Sequence, residues 1–151
     1  NCTQTHKAMA NFMRTPVAQK FVNLMMHDGK KATAEHIVLK SLDYIKVVKK
    51  DNPLTVLYAA LAKVSPLVEV RTVRVKGRSY SVPSPVGEQR GLILGMRYLI
   101  KVCRKAKKPM HIALGEELCA ASKGQGEAIK EKRQQATNAL SARTYAHYRW
   151  F

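Results

Sequence analysis

A chain of 151 residues with 46% apolar side chains has the length of one ordinary domain and enough apolar material for a core, which excludes disorder throughout. Its 27 Lys+Arg against 10 Asp+Glu give a formal charge of +17 and a pI near 10.1. That much like charge opposes folding unless a polyanion neutralises it, with nucleic acid the first candidate and an anionic membrane surface the second. No apolar run approaches the ~20 residues that a membrane-spanning helix needs.

Residues 1–16 read as a partly irregular N-terminal extension, and 17–151 as one helical domain without repeat or linker. Asn1 is not methionine, so the start is expected to be trimmed, processed or preceded by a further segment; a removed targeting peptide would leave this trace, and so would simple disorder. From Val17 to Met26, the residues Val17, Phe21, Leu24 and Met25 recur at helical spacing, and Gly29 is placed to end the turn. A second stripe carries Ile37, Val38, Leu42, Ile45 and Val48. Asn52-Pro53 pairs a capping side chain with a proline suited to the first helical position. The helix it starts should bury Val56, Leu57, Ala60, Leu61 and Val64 and halt before Pro66.

The period then changes. VEVRTVRVKGRSYSVP, Val68 to Pro83, is rich in β-branched residues around Lys76-Gly77 and reads as a β-hairpin ended by Pro83 and Pro85. Arg71, Arg74 and Arg78 interrupt the valines, so neither face is cleanly apolar and the ribbon is expected to project from the body. Helices resume with Leu92, Met96, Leu99, Ile100 and Cys103, again from His111 to Ala121, and from about Glu127 toward an aromatic end. Gly124 and Gly126 mark the loop between the last two. The fold class is mainly α: a single-domain helical bundle of about six helices with a protruding two-stranded β-hairpin.

Charge is concentrated in three places. Gln89 to Gly115 contains no acid, and Arg97, Lys101, Arg104 and Lys108 are spaced to share one helical face with nothing to pair with. A solvated surface does not require charge of a single sign, so a phosphate-contacting face is the better account. The hairpin adds Arg71, Arg74, Lys76, Arg78 and Tyr80, either as a ribbon that enters a nucleic-acid groove or as a guarded edge. The last 20 residues are acid-free and interleave Tyr145, Tyr148, Trp150 and Phe151 with Arg143, His147 and Arg149. Rings can stack on unpaired bases while cations hold phosphates, or the tail can dock on its own domain.

No catalytic or metal-binding constellation is legible, and no cofactor is expected. His6, His27, His36, His111 and His147 are scattered without ligand spacing to a cysteine or to each other. Cys2, Cys103 and Cys119 form no CxxC pair and read as reduced, packed thiols. Glu116 and Glu117 point to different helix faces, and Gly29-Lys30-Lys31 lacks the rest of a phosphate-binding loop.

The ordered motifs are similar to those of one family. Phe21-Val22-Asn23 through Asp28-Gly29-Lys30-Lys31-Ala32-Thr33-Ala34-Glu35, Val68-Glu69-Val70, the Gly77 to Pro83 arm, Met96-Arg97-Tyr98, Lys123-Gly124 and Ala146-His147-Tyr148-Arg149-Trp150 resemble the small-subunit ribosomal protein seven family, bacterial and organellar type. The likeness runs over about residues 17 to 150. It implies a structural protein that binds small-subunit ribosomal RNA of the 3′ major domain and nucleates head assembly. The ribbon would lie near exit-site transfer RNA and messenger RNA, beside ribosomal protein eleven. RNA contacts carried over by position fall on Lys30, Lys31, Arg71, Arg74, Lys76, Arg78, Arg90, Arg97, Lys123, Lys130, Lys132 and Arg149. Lys101, Arg104 and Lys108 join them from the basic face, and Tyr148 and Trp150 from the tail.

The departures are informative. Only Lys7 and Arg14 are basic before Lys20, Gly87-Glu88-Gln89-Arg90-Gly91 follows the hairpin, Gln125-Gly126 resembles an insertion, and an acid splits Lys130-Glu131-Lys132. Such losses of basic residues fit a mitochondrial ribosome, with the bacterial cytoplasm or a plastid as the alternative. A free helical DNA- or RNA-binding architectural protein is the competing function, and an RNA-modifying enzyme a third.

Overall fold

The computed structural model describes residue 9 and residues 11 to 150; Cys2, His6, Lys7 and Phe151 lie outside the described residues. Helix α1, Pro16–Met25, begins where the Thr15 hydroxyl accepts the Ala18 N–H at 3.3 Å, with proline in the first turn. Its buried face is Ala18, Phe21, Val22 and Met25. Met9 and Phe12, ahead of it, are buried in the same core.

Helix α2, Lys31–Tyr44, buries Ala34, Val38 and Leu42, then opens into one wider π-type turn, Ile45–Lys49. Such a turn closes over an extra residue and rotates the next side chains off the 3.6-residue face. Ile45 stays buried, but Val48, expected on the same stripe, is 53% exposed. Helix α3, Pro53–Val64, is capped by Asn52, whose side-chain oxygen accepts the Leu54 N–H at 3.2 Å. It buries Val56, Leu57, Ala60, Leu61 and Val64, as its pattern predicts.

Strands β1, Val68–Val75, and β2, Arg78–Pro85, form an antiparallel ribbon closed by the Val75–Arg78 pair. Lys76 and Gly77 have φ of 47° and 79°. Two successive positive φ values are what a two-residue turn matching the twist of a ribbon requires. The ladder runs past Pro83, which faces Val70, to Pro85, which faces Val68. A two-stranded ribbon has outer edges on both sides, where a missing N–H costs no ladder bond.

Helix α4, Glu88–Lys105, buries Met96, Leu99, Ile100 and Cys103. It ends because Ala106 turns extended, at φ −68° and ψ 137°. Helix α5, Met110–Ser122, lies against α2, α3 and α4 at the centre of the core. Helix α6, Glu127–Ser141, packs on α4 and β1. The expected single last helix is split there, and the chain tightens into a 3₁₀ segment, Ala142–Tyr148, lying along β2.

A side chain from α5 caps α6: the Glu117 carboxylate accepts the Ala128 N–H at 2.8 Å. Gly126, at φ 107°, makes room for it, because a Cβ there would sit 2.6 Å from the same carboxylate oxygen. Cys103 and Cys119 are buried and unpaired. Burial, reinforced by the negative charge of Glu117, pushes the Cys103 thiol up to about 12, so it stays protonated and inert.

Candidate nucleic-acid interface

The basic face of α4 exists in part. Arg97, Lys101 and Arg104 line one shallow cleft together with Lys105, Leu24 and Ile100. The Arg104 guanidinium donates to the Met25 carbonyl at 3.1 Å, tying α4 to the C-terminal end of α1. The turn that leaves this end carries Lys30 and Lys31, both exposed. Lys108 does not belong to the face, because the helix stops at Lys105 and Lys108 turns to Glu116 at 2.7 Å. That pairing holds the Lys108 ammonium above its ordinary value and the Glu116 carboxyl below its own.

The expectation that the face has no acid to pair with is also corrected. Glu131 reaches it from α6, 3.0 Å from Lys101 and 3.8 Å from Lys105. The hydrogen bond from Lys101 outweighs burial and holds the Glu131 carboxyl low. Local sequence shows no such acid because it lies 30 residues away along the chain. The neighbouring cations also have protein partners: Lys130 pairs with Glu127 at 2.5 Å, and Lys132 donates to the Lys63 carbonyl at 2.6 Å. Burial lowers the Lys132 ammonium from its ordinary value. Lys123 is exposed at the end of α5.

At the ribbon root, one buried acid organises two of the expected RNA contacts. Glu69 takes Arg90 Nε at 2.8 Å and also pairs with Arg71. Burial alone would raise its carboxyl, but hydrogen bonds from Arg90 and then Arg71 bring it below the usual value. Arg71 and Arg90 therefore fix the ribbon against the start of α4, whatever else they touch.

Along the ribbon, Val73, Tyr80 and Val82 share the face that meets the tail. Tyr80 stacks on Tyr148, with ring centroids 4.8 Å apart and planes 26° apart, and lies 5.2 Å from Tyr145. His147 lies 4.1 Å from Tyr148. The ribbon thus projects less freely than its mixed faces suggest, since the tail segment packs its rings on Tyr80 along β2. Beyond Tyr148 the backbone at Arg149 is extended, at φ −72° and ψ 121°, and delivers Trp150 to the β1 side.

Two clefts flank this clasp. Lys76, Arg78, Val75, Tyr80 and Tyr148 line one of about 370 Å³ near the tip. Arg71, Thr72, Val73, Arg74 and Trp150 line the other, of about 450 Å³. The structure therefore gathers the predicted residues into two groups: Arg97, Lys101 and Arg104 on the body, and Arg71, Arg74, Lys76, Arg78, Tyr148 and Trp150 on the ribbon. Sequence reasoning gave no role to Glu69 or Lys105, and left Tyr145 undecided. A lone acid inside an otherwise basic hairpin was the available signal for Glu69.

Among the described residues, no three His, Cys, Asp or Glu side chains come together as metal ligands would. Among the described residues, no helix is long and apolar enough to cross a membrane. A helical body with one cationic helix face, joined to a cationic ribbon held by stacked rings, defines a class of protein built to meet a polyanion.

The family model described as Ribosomal protein S7p/S5e matches residues 2–143, and the chain belongs to that family of structural, non-enzymatic proteins. It is 43% identical over 132 residues to the small ribosomal subunit protein uS7 of Shewanella sediminis, covering 87% of this chain and 85% of that protein. It is 42% identical over 135 residues to the uS7 of Thermosipho africanus, covering 89% and 87%.

Proposed function

We propose that the chain is a structural component of the small ribosomal subunit that binds ribosomal RNA of the 3′ major domain and nucleates assembly of the head. Its ribbon lies toward the exit-site transfer RNA and messenger RNA, beside ribosomal protein eleven. The observation that carries the reading is the pair of cationic surfaces, α4 and ribbon, on one small chain. Phosphate neutralisation supplies most of the affinity, and helical RNA is read by its shape and backbone rather than by base sequence. On the body, Arg97 faces the RNA directly, with Lys30 and Lys31 nearby. Arg104 both contributes charge and holds α1 in place. On the ribbon, Arg74, Lys76 and Arg78 make the outer contacts, with Arg149 joining from the tail.

We place the chain in the mitochondrial ribosome. Glu88 and Glu131 stand where the family resemblance implies basic residues, and Glu131 neutralises Lys101 rather than leaving it for phosphate. The bacterial relatives support the alternative, a bacterial cytoplasm or a plastid. A tagged chain that co-purifies with mitochondrial small subunits supports the mitochondrial reading; recovery only on bacterial or plastid ribosomes overturns it.

Sucrose-gradient sedimentation tests the ribosomal assignment itself. The chain is expected to co-migrate with the small subunit and to leave it only at high salt. A free pool with no small-subunit signal at low salt would instead identify a non-ribosomal nucleic-acid-binding protein.

A further inference from the structure

The tail rings do two different jobs. Tyr145 and Tyr148 are committed to Tyr80, with centroid distances of 5.2 and 4.8 Å. Trp150, two residues beyond Tyr148, is 81% exposed yet lines a cleft with Arg71, Thr72, Val73 and Arg74. Those four residues lie on β1, and the sheet contains only β1 and β2 among the described residues. The cleft therefore opens beside a strand edge, where alternate residues turn backbone N–H and C=O groups outward.

We propose that this cleft is a pocket for one unstacked nucleotide of the bound RNA. The base lies on the Trp150 indole, its edge meets the backbone of β1 near Thr72, and its phosphate is held by Arg74. Arg71, fixed by Glu69, gives the pocket a rigid cationic wall. The volume, about 450 Å³, falls in the roughly 300–1,000 Å³ range of small-ligand pockets. An indole in such a place offers its face to any base, and the strand edge supplies the directional donors and acceptors that discriminate among bases. Tyr148 is a positioning residue here: its stack on Tyr80 fixes where the extended residues after it cross the ribbon. This assignment deepens the RNA-binding function proposed above and rests on it.

The chain contains a single tryptophan, so its emission reports on this pocket alone. The experiment uses the full chain, an eight-nucleotide single-stranded RNA of mixed sequence and a folded head-domain RNA fragment. Both RNAs are expected to quench Trp150 and to shield it from acrylamide. Trp150→Ala should weaken octamer binding about 5- to 150-fold, by the same factor at low and high salt, because stacking releases no counterions. Trp150→Phe should recover most of that loss, and Arg74→Ala should weaken binding mainly at low salt. If the head-domain fragment binds at full strength while emission and acrylamide access stay unchanged, the pocket is overturned and the RNA-binding function stands. A blue shift without quenching places the indole against protein and likewise overturns the pocket. If neither RNA binds at all, the RNA-binding function itself fails, and the pocket with it.

Discussion

The helical body and the ribbon are held by different forces. In the body, Phe21, Leu42, Leu57, Leu99, Leu114 and Leu118 are sealed from solvent in one apolar cluster that also takes in Met9 and Phe12. Burial of that kind depends little on salt or pH. The ribbon buries few apolar side chains, chiefly Val73 and Val82. It is fixed instead by a charged hub at Glu69 and by tyrosine rings borrowed from the tail. A +17 chain can keep its ribbon arm oriented this way while leaving most cations outward. The same economy makes the arm the more condition-sensitive of the two regions.

The contrast can be broken from either side. Leu114→Ala, in the body, should lower stability by about 3 kcal/mol through lost burial and the cavity left behind, read as a lower urea midpoint. Glu69→Gln, at the ribbon root, should cost about 1–2 kcal/mol, held below the fully buried range because both arginines keep half their surface in water. It should also weaken RNA binding, because the ribbon then loses its fixed angle.

The pH dependence comes from the same carboxyl. Glu69 titrates below the usual 4.5 when folded, so its stabilising contribution is complete above about pH 4.5. It is lost as pH falls through the lower folded value. The urea midpoint of the unaltered chain should therefore drop more steeply below pH 4.5 than that of Glu69→Gln; parallel curves would show that the hub does not hold the ribbon.

Smaller effects should separate the regions further. Tyr148→Ala should cost about 1 kcal/mol by removing its stacked partner from Tyr80. Amide exchange should accelerate along β2 and stay unchanged in α4; equal acceleration in both would mean that the tail braces the whole molecule. Lys108→Ala should leave the urea midpoint unchanged, since its pair with Glu116 is solvated.

Much of the fold was legible because it depends on local rules. Asn52-Pro53 and the apolar stripe after it fixed α3 to its buried residues, and Lys76-Gly77 located the turn between two strands. Of the features that stayed hidden, two are local breaks in helical geometry and two depend on residues far apart in the chain. The π-type turn at Ile45 moved Val48 to the surface without a sequence signal. Lys108 obeyed helical spacing, but the helix had already ended. Glu131 crossed from α6 to meet Lys101, and Glu69 drew in Arg71 and Arg90, so a reading based on local charge overcounted the outward cations. The tail composition left docking and base stacking level; the structure docks Tyr145 and Tyr148 and leaves the Trp150 ring largely exposed.

The central claim is that the α4 face and the ribbon bind RNA chiefly through its phosphates. A salt titration of head-domain RNA binding tests it most directly, comparing the unaltered chain with Arg97→Gln. The expected result is a steep linear fall of log K against log salt, and for Arg97→Gln weaker binding with a slope reduced by about 1. A nearly flat salt dependence, or an Arg97→Gln variant with unaltered slope and affinity, would contradict it.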